Sequence, residues 1–329
     1  VPEKDLIILT GGAGFIGSCF LWKLNQQGEK HIFVVDHNNS SEKMKNLVGK
    51  DFADYFEKDT FLKILKTGAI PNKAKAVFHI GACSSTTETD ADYLNQNNLE
   101  YSKTLAKWSL DNNVPFYYAS SAATYGDGSL GYSDDDSLTL KLSPLNLYGK
   151  SKQEFDAWLI NNNLTGKVVG FRYFNVFGPN EYHKKEMRSL VVKAYQQIKR
   201  EGKISLFKSY RPAYANGEQK RDFIYVKDAI NLMFDFYQRG TVKGIFNIGT
   251  GKARTWNDLG RAIFNTLGLQ PRIEYVEMPP SIKDKYQYFT EANLSKLKRA
   301  GIDFQFRSLE DAVADYVKGY LEKDYARLA

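Results

Sequence analysis

The most constraining feature lies near the start of the chain. Leu6-Ile7-Ile8-Leu9 is a short apolar run that leads through Thr10 into Gly11-Gly12-Ala13-Gly14-Phe15-Ile16-Gly17, after which Ile16, Cys19, Phe20 and Leu24 recur at helical spacing. Strand, glycine turn and helix in this order form the phosphate-binding opening of a dinucleotide site. Gly11 and Gly14 permit a tight turn and close approach of a pyrophosphate, and Gly17 lets the helix pack on the strand. The helix N-terminus offers amide N–H groups to the anion, with Phe15 and Ile16 in its first turn.

A second apolar strand, Ile32-Phe33-Val34-Val35, closes in Asp36, near the ~20-residue separation expected of the acid that meets the adenine ribose. A carboxylate there favours a free 2′-hydroxyl. His37, Lys43 and Lys45 follow closely, and they can surround a 2′-phosphate if Asp36 turns aside. Local chemistry therefore leaves NAD and NADP both open.

The alternation continues. Phe61-Leu62-Lys63-Ile64-Leu65 reads as a helix and Ala76-Val77-Phe78-His79-Ile80 as the next parallel strand. Its exit, Gly81-Ala82-Cys83-Ser84, is small enough to lie along a cofactor at the carboxyl end of the sheet. His79 reads as a packed strand residue. Asn97, Tyr101, Leu105 and Trp108 mark one face of a helix, and Phe116-Tyr117-Tyr118-Ala119 is a strand ending in Ser120-Ser121. A serine at that end can hydrogen-bond an oxygen that alternates between hydroxyl and carbonyl; equally, it can cap the strand. No G-x-S-x-G elbow is present, which argues against a serine hydrolase.

Tyr148 and Lys152, at i and i+4, share a helix face that continues as Phe155, Trp158 and Leu159. A phenol beside an ammonium is a candidate acid/base pair, because a neighbouring positive charge lowers the tyrosine pKa from its usual ~10. The strand Val168 to Phe177 stops at Gly178-Pro179, and the grammar then changes. Residues 1–178 read as a Rossmann-like domain, an α/β doubly wound parallel sheet to which some later segments return. Residues 179–329 read mainly as a smaller α/β substrate-binding lobe. Within the lobe, Leu206 to Lys208, Lys220 to Asp228 and Phe246 to Gly251 stand out. Arg221 can fork onto a diphosphate or pair with Asp222.

Composition bounds the function. The 329 residues carry a formal net charge of +7, from 45 Lys and Arg against 38 Asp and Glu, with no long basic run. That field suits phosphate-bearing small molecules as well as nucleic acid. Two cysteines, Cys19 and Cys83, give neither a disulfide framework nor a zinc site, and the four histidines lack metal-ligand spacing. No apolar run is long enough to span a membrane and no signal-like segment opens the sequence, so a cytoplasmic enzyme is expected, without metal, membrane or nucleic acid as partner.

The Thr10 to Gly17 turn, Asp36, Ser121 before Tyr125, Tyr148 with Lys152, and the Arg221 to Asp228 block together resemble the extended short-chain dehydrogenase/reductase superfamily acting on nucleotide sugars. More narrowly, His79 to Glu88, Tyr118 to Gly126, Phe171 to Val176 and His183-Lys184 resemble the ADP-L-glycero-D-manno-heptose 6-epimerase family of lipopolysaccharide inner-core synthesis. That resemblance implies transient oxidation of C6″ to a ketone and re-reduction with tightly bound NADP. Tyr148 and Lys184 would serve as the two acid/base groups, Lys152 would hold the nicotinamide ribose, and Ser121 the reacting oxygen. It places cofactor contacts at Phe15, Ile16, Asp36, His37, Lys43, Lys58, Ile80, Gly81, Ala82, Cys83, Ser84, Asn97, Lys152, Val176 and Lys184. Substrate contacts fall on Asn175, Glu186, Lys193, Phe207, Lys208, Ser209, Tyr210, Arg221 and Tyr286.

Two departures stand out. Glu186 occupies a place where the family often has a small hydroxyl residue, and Lys193 one where it often has histidine. A short insertion also falls around Arg211 to Gln219. The resemblance favours NADP through Lys43 and implies a homo-oligomer, typically a pentamer, with ADP-heptose as substrate. A 4-epimerase on the same scaffold would carry the serine, tyrosine and lysine but need no second base such as Lys184. A 4,6-dehydratase would place an acid where this chain has Ala122-Ala123. A non-catalytic NADP-binding regulator could dispense with Tyr148 and Lys152.

Overall fold

The computed structural model describes residues 6–37, 40–68, 70, 74–283 and 286–329. Twelve strands occur among them. In chain order, β1 is Ile7–Thr10, β2 Ile32–Asp36, β3 Asp54–Glu57, β4 Ala76–His79, β5 Phe116–Ser121 and β6 Val168–Tyr173. They are followed by β7 Asn175–Phe177, β8 Ile204–Phe207, β9 Lys220–Tyr225, β10 Gly244–Ile248, β11 Ala253–Thr255 and β12 Ile273–Val276.

Seven of these form one sheet in the order β10-β6-β5-β4-β1-β2-β3, every pairing parallel. The chain runs outward from β1 to β3, then restarts at β4 on the other side of β1. A crevice therefore opens at the carboxyl ends of β1 and β4, the switch point at which doubly wound sheets bind ligands. Alternation along the strands makes the two layers. Ile7 and Leu9 join one apolar core and Leu6 and Ile8 the other, since neighbouring side chains on a strand point to opposite faces. The Phe15–Gln26, Leu190–Glu201 and Leu309–Gly319 helices contribute to the first core through Phe20, Val192 and Tyr316. The Tyr101–Asp111 and Leu147–Asn161 helices contribute to the second through Leu105 and Phe155.

Beyond Pro179 the pieces divide. Phe246 to Ile248, read from sequence within the lobe, lie in β10 and return to the large sheet beside β6. The others build a two-stranded sheet, β12-β8, and, with β7 from before Pro179, a three-stranded one, β11-β9-β7. The strand read from Val168 to Phe177 is therefore two strands in different sheets. Some later segment was expected to return to this sheet; parallel pairing with a strand so distant in sequence leaves no local signal to say which.

One buried polar network locks a helix onto the large sheet. Asp156, fully buried in the Leu147–Asn161 helix, accepts from Tyr118 OH at 2.7 Å and Ser120 Oγ at 2.8 Å. Arg172 Nε donates to it at 3.0 Å and Arg172 Nη2 lies 2.9 Å from it. Arg172 also donates to Thr139 Oγ1 at 2.7 Å and to Tyr125 OH at 3.3 Å. Every partner is fixed on a strand, a helix or the turn after β5, so helix and sheet have one mutual register. Asp156→Ala would strand a buried guanidinium without its carboxylate. The expected loss is about 3–5 kcal/mol, read as a lower urea midpoint; an unchanged midpoint would contradict this assignment.

Candidate active site

The glycine turn closes on the far side of the crevice. Gly11 adopts φ +72°, and a Cβ there would lie 2.5 Å from the Gly81 amide nitrogen; one on Gly17 would run into the Gly11 carbonyl oxygen. Only glycine allows this approach of β1's turn to β4's exit and of helix to turn. The Phe15–Gln26 helix starts at the crevice, where its first N–H groups have no intrahelical acceptor. A backbone cradle that a Cβ would fill, at a helix N-terminus, fits a dinucleotide pyrophosphate.

Asp36 ends β2 and is only 7% exposed. Its carboxylate accepts from Ala13 N at 2.9 Å, His37 N at 2.7 Å and Lys43 Nζ at 2.5 Å. Lys43 also reaches the His37 carbonyl at 3.2 Å, while the His37 ring meets Glu57 at 2.5 Å. Asp36 has not turned aside. Lys43 has come to it, so an ammonium already stands beside the carboxylate where a ribose is expected.

The exit of β4 is held from below by an unusual turn. Asn95–Glu100 forms a π-helical turn ahead of the Tyr101–Asp111 helix. Within it Asn97 Oδ1 accepts from Lys58 Nζ at 2.6 Å, while Asn98 bonds the Cys83 backbone through both its N–H (2.8 Å) and carbonyl (3.0 Å). Asn98 also donates to Ser151 Oγ at 3.0 Å, tying the loop to the helix that carries Tyr148. Nearby, both ring nitrogens of His79 are engaged, by Thr10 Oγ1 at 2.7 Å and Ser102 Oγ at 2.8 Å. Burial pulls its pKa down to about 3, with the Lys152 charge adding to the effect, so it is a neutral structural residue.

Tyr148, Lys152 and Asp156 follow at i, i+4 and i+8 on one face of the Leu147–Asn161 helix. Lys152 donates to the Ala119 carbonyl at 2.8 Å, and burial lowers its pKa to about 8 against the opposing charge of Asp156. Tyr148 keeps part of its surface open to the cavity. The lowering of its pKa by Lys152 expected from sequence is not found. Burial raises the phenol, and the opposing influence is a hydrogen bond with Ser121. The Lys152 ammonium, itself desolvated and bonded to the Ala119 carbonyl, is not among the groups that shift the phenol. Ser121 also caps the turn after β5, its Oγ accepting from Ala123 N at 3.1 Å. The capping expected of this serine is found, and its side chain also stands beside Tyr148 in the cavity wall.

Lys184 arrives from the loop after β7. Its ammonium stands 5.6 Å from the Phe15 ring centroid, and burial lowers its pKa against the opposing charge of Glu181. Burial also pulls His183 down to about 4, aided by the Lys43 and Lys184 charges.

A cavity of about 800 Å³ brings these groups together. It is lined by Gly11, Gly14, Phe15, Ile16, Gly17, Asp36, His37, Lys43, Lys58, the Ile80 to Ser84 exit, Asn97, Ser121, Tyr148, Lys152, Asn175, Val176 and Lys184. Glu186, Lys193, Phe207, Lys208, Ser209, Tyr210, Arg221 and Tyr286 are not in its wall. Lys193 bonds the Glu186 carbonyl, and its ammonium is 3.6 Å from that residue's carboxylate. Lys208 pairs with Glu277 at 2.6 Å, Tyr210 bonds the same carboxylate, and the Ser209 amide donates to Asn216 at 2.9 Å.

Arg221 does not pair with Asp222. That carboxylate is consumed by Thr250, Gly251 and Ala292 backbone groups at 2.7, 2.9 and 3.0 Å. The guanidinium, 6% exposed, instead lies 5.1 Å from the Tyr286 ring and 5.7 Å from Trp256. Trp256 Nε1 donates to Tyr286 OH at 2.8 Å, and Trp256 also lines the cavity, so the arginine and its aromatic rings adjoin the cavity wall.

Asp156, Asn98 and Trp256 are site residues that sequence reasoning passed over. The i+8 spacing from Tyr148 was available for the first; no local signal marks the others.

The sequence matches the NAD dependent epimerase/dehydratase family over residues 7–249. It is 52% identical to the ADP-L-glycero-D-manno-heptose-6-epimerase of Nitratidesulfovibrio vulgaris, covering 96% of this chain and 98% of that protein. The enzyme of the same name from Fusobacterium nucleatum is 44% identical, covering 97% and 99%. The crystal structure of Helicobacter pylori ADP-L-glycero-D-manno-heptose-6-epimerase superposes with a TM-score of 0.80 at 25% identity, covering 96% of each chain. At 24% identity, a Thermotoga maritima UDP-glucose 4-epimerase shares the fold with a TM-score of 0.78, covering 98% of this chain and 100% of that one. With the family matched over most of its length and relatives this similar end to end, the chain belongs to the NAD dependent epimerase/dehydratase family and, within it, to the ADP-L-glycero-D-manno-heptose-6-epimerases.

Proposed function

We propose that this protein epimerises C6″ of ADP-D-glycero-D-manno-heptose, giving the L-glycero epimer, with NADP held in the cavity at the β1–β4 switch point. The observation that carries the reading is that Tyr148 and Lys184, from separate elements, line the same cavity as the glycine cradle. Identity of 52% to an enzyme named for this substrate supports the choice of sugar. The reading goes with a cytoplasmic homo-oligomer, pentameric by resemblance, and with a cofactor domain over residues 1–178 and a lobe mainly for substrate beyond it.

A bound nicotinamide supplies the place that takes up a hydride and returns it. The chain's part is proton transfer and orientation. One of Tyr148 and Lys184 accepts the C6″ hydroxyl proton as the carbonyl forms. After the sugar presents its other face, the other group donates a proton to the oxygen. Two such groups are needed because the hydroxyl points opposite ways in the two epimers. Ser121, in the cavity wall with Tyr148, donates its one hydroxyl proton to the reacting oxygen in either state. Lys152 carries the nicotinamide ribose. Arg221, stacked on Tyr286 and Trp256, offers a fork to the substrate diphosphate.

Lys43 supports NADP over NAD. Its ammonium beside Asp36 offsets the carboxylate charge that would repel a 2′-phosphate, and it can accept that phosphate with a small movement. Lys43→Ala is expected to raise the Kd for NADP about tenfold or more while altering that for NAD by less than about threefold, as read by calorimetry.

The decisive assay incubates the protein with ADP-D-glycero-D-manno-heptose and follows the C6″ epimer by NMR; no conversion by cofactor-loaded protein would sink the proposal. Tyr148→Phe and Lys184→Met are each expected to lower kcat by about 10²–10⁴-fold. Full activity of the Lys184 variant in both directions would remove the two-base scheme.

A further inference from the structure

We infer that Glu181 is the positioning residue for Lys184, closing the loop between Gly178 and Ser189 so that the lysine is presented to the cavity. The inference rests on the reading of Lys184 as a proton-transfer group. Glu181 is only 1% exposed. Its carboxylate accepts from the Gly178 N–H at 3.2 Å, from the Ser189 hydroxyl at 2.7 Å and from the Ser189 N–H. A fourth donor, Tyr316 OH at 3.1 Å, comes from the Leu309–Gly319 helix. Both ends of the loop and a remote helix thus converge on one side chain. The loop's first turn is short: the Lys184 N–H bonds the Glu181 carbonyl at 3.0 Å.

Local preferences are set aside all around this carboxylate. Ser189 occupies the N-cap position of the Leu190–Glu201 helix, yet its hydroxyl makes no capping bond there and goes to Glu181. Lys185, next to the proposed acid/base group, sits at φ 49° and ψ −121°, a conformation that side chains rarely adopt. Among the described residues no Lys, Arg or His forms an ion pair with Glu181, although a carboxylate is costly to bury without one. Burial raises the Glu181 carboxyl, and the Ser189 and Gly178 donors and the Lys184 charge oppose that rise; burial likewise lowers Lys184 against the charge of Glu181. Such conflicts between local rule and observed structure gather where function fixes the geometry. Each carboxylate oxygen accepts from a backbone N–H, one from Gly178 and the other from Ser189, so an amide would turn its NH₂ toward one of these donors.

The test compares wild-type enzyme with Glu181→Gln, Lys184→Met and the double variant, all loaded with cofactor. Epimerisation kinetics are run beside mass-spectrometric measurement of Lys184 acylation by a small amine-reactive ester. Positioning predicts that Glu181→Gln lowers kcat about tenfold or more with KM changed by less than about threefold. It predicts that Lys184 acylation quickens by at least about threefold, and that the double variant is no slower than Lys184→Met alone. Unchanged Lys184 labelling overturns the inference. So does an unchanged kcat in Glu181→Gln when Lys184→Met is inactive. If Lys184→Met keeps full activity, the two-base reading falls, and the labelling still decides whether Glu181 positions the lysine. Should Glu181→Gln fail to fold, Ser189→Ala removes one donor without touching the carboxylate or an existing helix cap, and it must shift the labelling in the same direction for the inference to stand.

Discussion

The contact between Asp156 and Arg172 is the constraint on which the face bearing Tyr148 and Lys152 depends. A buried ion pair adds little net stability, because desolvating both charges offsets most of their attraction. Its effect here is geometric. Asp156 stands on the helix face that bears Tyr148 and Lys152, and its partners Tyr118, Ser120 and Arg172 lie on β5 and β6. A slip of one residue along either element would leave several buried polar groups unpaired at once. The pair therefore sets where the phenol and ammonium stand relative to Ser121, which is the next residue along β5 from one of its own partners.

Legibility in the sequence followed chemical locality. The glycine turn, Asp36, Ser121 and the Tyr148–Lys152 pair were readable because each is a short pattern whose backbone or face requirement is fixed by neighbours. Asp156 obeyed the same helical spacing but is easily taken for a solvated acid, since nothing in a sequence shows that a helix face is dry. That a later segment returns to the large sheet was expected, but that β10 is the one could not be read, because its pairing joins segments separated by the whole first part of the lobe. The direction of the Tyr148 shift was also beyond reach. Proximity of an ammonium can be read from spacing, whereas the balance between that charge and burial depends on the walls that close around the ring. Lys184 came from resemblance, and the Glu181 carboxylate behind it had no pattern of its own.

Positive charge collects in the cavity although it is dispersed along the chain. Lys43, Lys58, Lys152, Lys184, Lys185 and Arg188 all line it, with Asp36 the acidic group at the same wall. A field of one sign in a partly enclosed space attracts phosphates more strongly than the modest net charge implies. The lowered pKa of Lys152, and the downward direction for Lys184, follow from the same enclosure. The conditions that draw an anionic ligand in thus also make the amines easier to deprotonate.

The π turn at Asn95–Glu100 carries one more residue than an α turn would, which amounts to a phase slip of about 100° between the helix before and after it. Two consecutive asparagines can therefore serve different neighbours, Asn97 reaching Lys58 and Asn98 the Cys83 backbone, while Leu105 downstream stays in the core. A deletion of one residue here would leave an ordinary helix with an intact hydrogen-bond ladder. It would nonetheless rotate either the asparagines off the loop or the apolar stripe out of the core, so the turn acts as a spacer that lets one helix obey two registers.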